Sequence, residues 1–156
     1  MSDPSAGPAR ALYYSRVRAT LLPRYIGLTI IAVGMLFVAL SMAQQRVDLL
    51  VLPIIFFPLG SFIGFMTVTV KVDLQNVVIT FCDIVKRTLP RAGIAIVTTD
   101  KTAGPSGYGI RYMGPGVVGY LVGGPEVNIE TKSGKTFIAS TDRPDELIAV
   151  LTEVSN

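Results

Sequence analysis

Two uncharged apolar runs lie almost back to back in this chain, and they limit what it can fold into more than any other feature. Tyr25 to Gln45 holds 21 residues without a charge, and Leu49 to Val70 holds 22. Only Arg46, Val47 and Asp48 separate them. A helix needs about 20 apolar residues to cross a hydrocarbon core, so each run is long enough to span. Together they predict a transmembrane helical hairpin with a tight turn, 25–66, with spans at 25–45 and 49–66. Ser41-Met42-Ala43 before Gln44 has the look of a signal-peptide cleavage site. Against cleavage, the apolar core is longer than an ordinary h-region and follows 24 residues of chain.

The basic residues set an expected orientation. Arg10, Arg16, Arg18 and Arg24 precede the first run; Lys71, Lys86, Arg87 and Arg91 follow the second. The loop between carries one Arg balanced by Asp48. By the positive-inside rule both termini lie on the cytoplasmic side of the cell membrane, as segments 1–24 and 67–156. In the first segment, Tyr13, Tyr14 and Tyr25 beside arginines suit a stretch lying along the membrane surface until Pro23 redirects it. Residues 1–9, small and Pro-containing, are expected to be disordered.

The net charge of +3 is already reached within residues 1–24. Residues 71–156 carry nine basic and nine acidic groups, with the basic excess in 71–111. No patch of nucleic-acid size is left over. The chain has no histidine and one cysteine, Cys82. Intrachain disulfides, Cys/His metal sites and His-dependent nucleophile systems are therefore excluded. Cys82 follows Phe81 in an apolar segment and reads as a buried or half-buried structural thiol.

At Thr67 the hydrophobic period changes from that of a helix to strict alternation: Thr67-Val68-Thr69-Val70-Lys71-Val72-Asp73 is a half-buried strand. Further strands are expected at VVITFC, IVKRTL, IAIVTT, YGIRYM, VVGYLV, EVNIET and TFIAS, divided by Gly, Pro, Asn and Asp turn signals. The loop DKTAGPSG separates the fourth strand from the fifth. The G-K-T at 134–136 invites a nucleotide-binding reading. That motif needs a glycine at 129, where Ile129 stands, and a helix where TFIAS follows. Ser133-Gly134 is instead expected to be a two-residue hairpin turn. No nucleotide or other cofactor is implied. A final helix is expected with Asp142 as its cap, Pro144 in its first turn, and an apolar stripe of Leu147, Ile148, Leu151 and Val154.

Several segments resemble small actinobacterial membrane proteins with two transmembrane helices and a bacterial pleckstrin-homology-like domain. They are ALYYSR before the first span, TVTVKVD at the helix-to-strand passage, GYGIRYMGPG, and GGPEVNIETKSGKTFIASTDRPDELIAVL. The resemblance implies an α+β pleckstrin-homology-like domain, an antiparallel β-barrel or sandwich with a C-terminal helix, after the hairpin. It implies a fold and a place in the cell rather than an activity. Members often carry Trp near the GYGIRY segment; this chain has none, and Tyr108 and Tyr112 stand there.

Without catalytic groups, the expectation is a non-catalytic module, an accessory or scaffolding subunit docking on another membrane protein or on itself. The alternative is a binder of anionic lipid headgroups, with Lys71, Lys86, Arg87, Arg91 and Lys101 as the contact residues. Gly60 and Gly64 form a G-x-x-x-G that lets another helix approach closely. The first span, with Gly27 and Gly34, is favoured over a second copy as that helix.

Overall fold

The computed structural model describes residues 11–99 and 107–152. Expectations for residues 1–9, Arg10, most of the DKTAGPSG loop with Lys101, and Val154 fall outside the described residues. The chain divides into two compact units: 18–66, and 1–17 together with 67–156.

The first unit is a pair of apolar helices, α1 (Leu21–Gln44) and α2 (Val51–Gly64), the second preceded by a 3-10 turn, Val47–Leu50. At 1.5 Å per residue α1 is about 36 Å long. Val47–Gly64 adds an 18-residue stretch of equally apolar composition. Both are long and apolar enough to cross a membrane. α1 begins four residues before the uncharged run, so Pro23 and Arg24 lie in its opening turn. Pro23 does not redirect the chain: near a helix start its missing N–H costs nothing. α2 runs on past Pro58 to Gly64.

The seam between the helices is built from small residues. On α1 the buried positions are Pro23, Gly27, Gly34 and Ser41, the last three at intervals of seven; on α2 they are Pro53 and Gly60, again seven apart. A seven-residue interval returns to the same face of a slightly supercoiled helix, so the small side chains form one continuous contact line. The large side chains face away: Leu28, Met35, Leu36, Ile54, Ile55 and Phe62 are all exposed. Phe37 and Phe56 meet with ring centroids 6.0 Å apart.

At the tip, Gln45 ends α1 in the left-handed conformation, φ 53°, and both its N–H and that of Arg46 reach the Ser41 carbonyl. This closes orphan carbonyls at the helix end, although Gly or Asn fills that position more cheaply. Ser41 Oγ donates to the Arg46 carbonyl, and Arg46 forms a two-point ion pair with Asp48. Hydrogen bonding to that carboxylate holds the Arg46 proton more tightly than usual.

The second unit is two sheets and a helix. The first sheet has the order β1-β2-β3-β4, with β1 Tyr13–Arg18, β2 Thr67–Val72, β3 Asn76–Phe81 and β4 Val85–Pro90. The second has the order β5-β8-β9-β7-β6, with β5 Ile94–Thr98, β6 Gly109–Gly114, β7 Val117–Leu121, β8 Glu126–Thr131 and β9 Thr136–Ser140. Helix α3 (Pro144–Thr152) closes the described chain. The arrangement is consistent with an open β-sandwich.

Three features correct the sequence reading. Residues 13–18 are not an isolated stretch leading into the first helix. They form an edge strand of the first sheet, with Tyr13 and Ser15 buried while Tyr14 and Arg16 are exposed. Leu12 N donates to Val72 O and Ala19 N to Met66 O, so partner numbers fall as the strand advances, an antiparallel pairing with β2. Second, the other sheet is mixed rather than antiparallel throughout. β9 inserts between β8 and β7 and runs parallel to β7, pairing Val118 with Phe137 and Tyr120 with Ala139. Third, Asp142 does not cap α3. The helix opens at Pro144, and the Asp142 carboxylate accepts a hydrogen bond from Ser15 Oγ of β1.

Burial explains the sheet assignments. Val68, Val70 and Val72 of β2, Val77 and Ile79 of β3, Leu121 of β7, Val127 and Ile129 of β8 and Ala139 of β9 are all fully inaccessible. Leu147 and Leu151 bring the buried face of α3 to the same core, and Ile148 is half-buried beside them. The segment leading into α3 is tied to β1: Tyr13 Oη bonds Thr141 Oγ1 and the Arg143 carbonyl, and Arg143 donates to the Tyr14 carbonyl. The Arg143 guanidinium also lies 5.4 Å from the centre of the Tyr13 ring. α3 itself contacts β5, an edge strand of the second sheet. The hairpin joining β8 and β9 has a four-residue loop, Lys132–Lys135, rather than a two-residue turn, with Gly134 at φ 76°.

Cys82 is not within a strand. Cys82 and Asp83 form the turn between β3 and β4, both left-handed at φ 51° and 56°, with Ile84 N bonded to the Phe81 carbonyl. This mirror-image turn matches the twist of its flanking strands, although Gly, Asn or Asp would occupy its first position with less strain.

Candidate functional site

Of the five cations singled out in sequence, the four described ones, Lys71, Lys86, Arg87 and Arg91, do not gather at one place. Register separates them first. Lys71 is opposite Val78, and Lys86 opposite Thr80, on the sheet face away from the core. Arg87 is opposite Ile79, which pairs in turn with Val70; both are fully buried, so Arg87 belongs to the core-facing side of edge strand β4. Partners separate them further. Lys71 Nζ is 3.2 Å from Asp73 Oδ1. Arg91 is buried to 9% exposure, and its guanidinium donates to the carbonyls of Asp73 and Val150. Its place in the short 3-10 turn Arg91–Gly93 puts a cation against the last turn of α3, where the helix dipole favours one. Arg91 therefore holds the fold and is not a free surface contact. Lys86 is exposed, and Lys101 is outside the described residues.

Gly60 and Gly64 serve the helical pair. A Cβ at Gly60 would stand 2.7 Å from the Gly27 carbonyl oxygen, and one at Gly27 would stand 2.5 Å from the Gly60 carbonyl oxygen. Each glycine is filled by the other helix of the same hairpin. Gly64 is less constrained: a Cβ there would meet Gly27 Cα at an ordinary 3.8 Å.

Among the described residues, hollows of two sizes open in the β-unit. The larger, of 710 Å³, is lined by Leu74, Gln75, Arg91, Ile94, Ile96 and Lys132 among others, and reaches Leu151 and Thr152 of α3. The smaller, of 260 Å³, lies between β4 and the β7/β9 strands. Its described lining is Arg87, Gly116, Val118, Tyr120, Lys135 and Phe137. Arg87 holds its guanidinium 5.4 Å from the centre of the Phe137 ring, a cation–π contact that fixes the head group over the aromatic face. Of these residues only Arg87 was singled out in sequence. Tyr120 and Phe137 fell within the expected strands VVGYLV and TFIAS, with no site role. What joins them is the parallel β7/β9 pairing, which sets Val118 beside Phe137 with Tyr120 two residues further along β7, and has no local sequence signal.

The free edges carry exposed apolar residues. β6 ends the second sheet, and its Ile110, Tyr112 and Met113 are 44%, 73% and 44% exposed. Ile84 and Val85, at the start of β4, are exposed as well. Among the described residues, no group of three or more His, Cys, Asp or Glu is placed to share a metal ion. No family model, curated protein or solved structure matches the chain.

Proposed function

We propose that this protein is a membrane-anchored, non-catalytic interaction module that docks on another membrane protein as an accessory or scaffolding subunit. The observation that carries the anchoring is the inverted packing of the helical pair. Small residues fill its seam, and its large apolar side chains face outward. In water such a surface would be a large uncompensated apolar patch; in hydrocarbon it is the ordinary exterior of a span. The distribution of basic residues supports both termini on the cytoplasmic side.

The β-unit is read as a pleckstrin-homology-like domain on the strength of two sheets and a C-terminal helix, with the parallel β7/β9 pair as its departure from an all-antiparallel barrel. The resemblance to two-helix actinobacterial membrane proteins belongs to the same reading. Docking is supported by the apolar edge at β6, which pairs with β7 on one side and, among the described strands, with none on the other, where it presents main-chain groups as well as Ile110 and Tyr112. The lipid-headgroup alternative draws on fewer cations than the sequence offered, since Lys71 is paired and Arg91 is buried.

The test is purification from native membranes in mild detergent, with the retained proteins identified by mass spectrometry. A partner held in fixed stoichiometry by the wild type and lost in Ile110→Asp and Tyr112→Asp is the expected result. Recovery of the protein alone, in wild type and variants alike, would remove the docking role.

A further inference from the structure

We infer that the recess between β4 and the β7/β9 strands is a binding site for a small organic anion, a carboxylate or phosphate carried on a flat apolar group. The inference goes beyond the docking role and does not depend on it.

Two cations line the recess, Arg87 and Lys135, and among the described residues neither is ion-paired with a carboxylate. No acidic residue belongs to its described lining. Two like charges beside apolar walls are unfavourable until an anion joins them. The rest of the lining is apolar or aromatic: Val118, Phe137 at 4% exposure, and Tyr120 at 6%. The Tyr120 ring is buried, and its hydroxyl makes no hydrogen bond among the described residues, so it is available to a ligand in the recess.

The geometry prepares Arg87 for this task. Its stacking over Phe137 orders the guanidinium before any ligand arrives, so less entropy is lost on binding. The N–H groups at its edge remain free for a two-point contact with carboxylate or phosphate. Lys135 supplies a second charge from the β8–β9 loop. At 260 Å³ the recess falls below the usual range of about 300–1,000 Å³ for drug-sized ligands. It has room for a single ring or a short acyl group with its acidic head, and a larger ligand would project into solvent.

The experiment uses the full chain in nanodiscs of neutral phosphatidylcholine, titrated calorimetrically with phenyl phosphate, benzoate and inorganic phosphate. Saturable binding of phenyl phosphate or benzoate, tighter than inorganic phosphate, is expected. Arg87→Gln and Lys135→Gln should each weaken it by about tenfold, as loss of a charged hydrogen bond would. Both side chains are exposed, so the variants should keep the wild-type near-UV circular dichroism, and Tyr120→Phe adds a third, isosteric variant. Repeating the titration with phosphatidylglycerol in the disc distinguishes the sources of the anion. Competition by that lipid identifies a headgroup as occupant, and its absence identifies a soluble anion; the site stands in both cases. The inference is overturned if no aromatic anion binds saturably, if inorganic phosphate binds equally well, or if binding is unchanged in all three variants.

Discussion

A methyl group at position 27 has nowhere to go. It would fall 2.5 Å from the Gly60 carbonyl oxygen and 2.8 Å from the Gly64 backbone, and backbone atoms of a packed helix cannot swing aside. At Gly64 the same methyl group would meet its nearest neighbour at 3.8 Å, a normal contact. Gly27→Ala should therefore destabilise the helical pair by about 1–3 kcal/mol, the usual range for overpacking. Gly64→Ala should be nearly neutral. Thermal denaturation of the two variants in the same detergent checks the contrast; equal behaviour would mean the seam is elsewhere. The G-x-x-x-G at 60–64 was visible in sequence, but the residue that makes it necessary is Gly27 on the other helix. The seven-residue spacing of Gly27, Gly34 and Ser41 was a readable signal for that seam. Arg91 shows the opposite case, because nothing local marks a guanidinium that will bond a carbonyl 59 residues away.

Among the elements, β1 is the one most at odds with its sequence. YYSRVR has the aromatic and cationic residues of a membrane interface, yet its alternate side chains enter the core of the β-unit. The helical pair stands between it and its partner β2 in the chain, so no nearby pattern could reveal the pairing. Tyr13 is its anchor, 2% exposed, with its hydroxyl shared between Thr141 and the Arg143 carbonyl. Tyr13→Ala should cost the β-unit about 3–5 kcal/mol, as expected for removing a buried aromatic side chain. Near-UV circular dichroism during thermal unfolding of the full chain in micelles measures it. A loss below about 1 kcal/mol would show that β1 is dispensable to the fold. By contrast β2, the 131–136 hairpin and α3 were legible, because alternation, a glycine turn and an acidic helix start are all local signals. The mixed pairing of β7 with β9 was not, since strand order is decided by which apolar faces meet after the strands exist.

At the scale of the whole molecule, an apolar helical pair is continuous in sequence with a folded β-unit, and the proposed location follows from that pairing. The proposed direction rests on charge: most cations lie on the two flanking segments, and in the turn between the helices Arg46 is balanced by Asp48. The measurement that tests this most directly is cysteine labelling in intact cells. Cys82 is first replaced by Ser, and single cysteines are then placed at Asp48 in the turn and at exposed Leu74 in the β-unit. A membrane-impermeant maleimide should label Asp48→Cys in intact cells and Leu74→Cys only after the membrane is opened. Labelling of both sites in intact cells, or recovery of the protein in the soluble fraction, would contradict a helical hairpin that crosses the membrane with its β-unit inside.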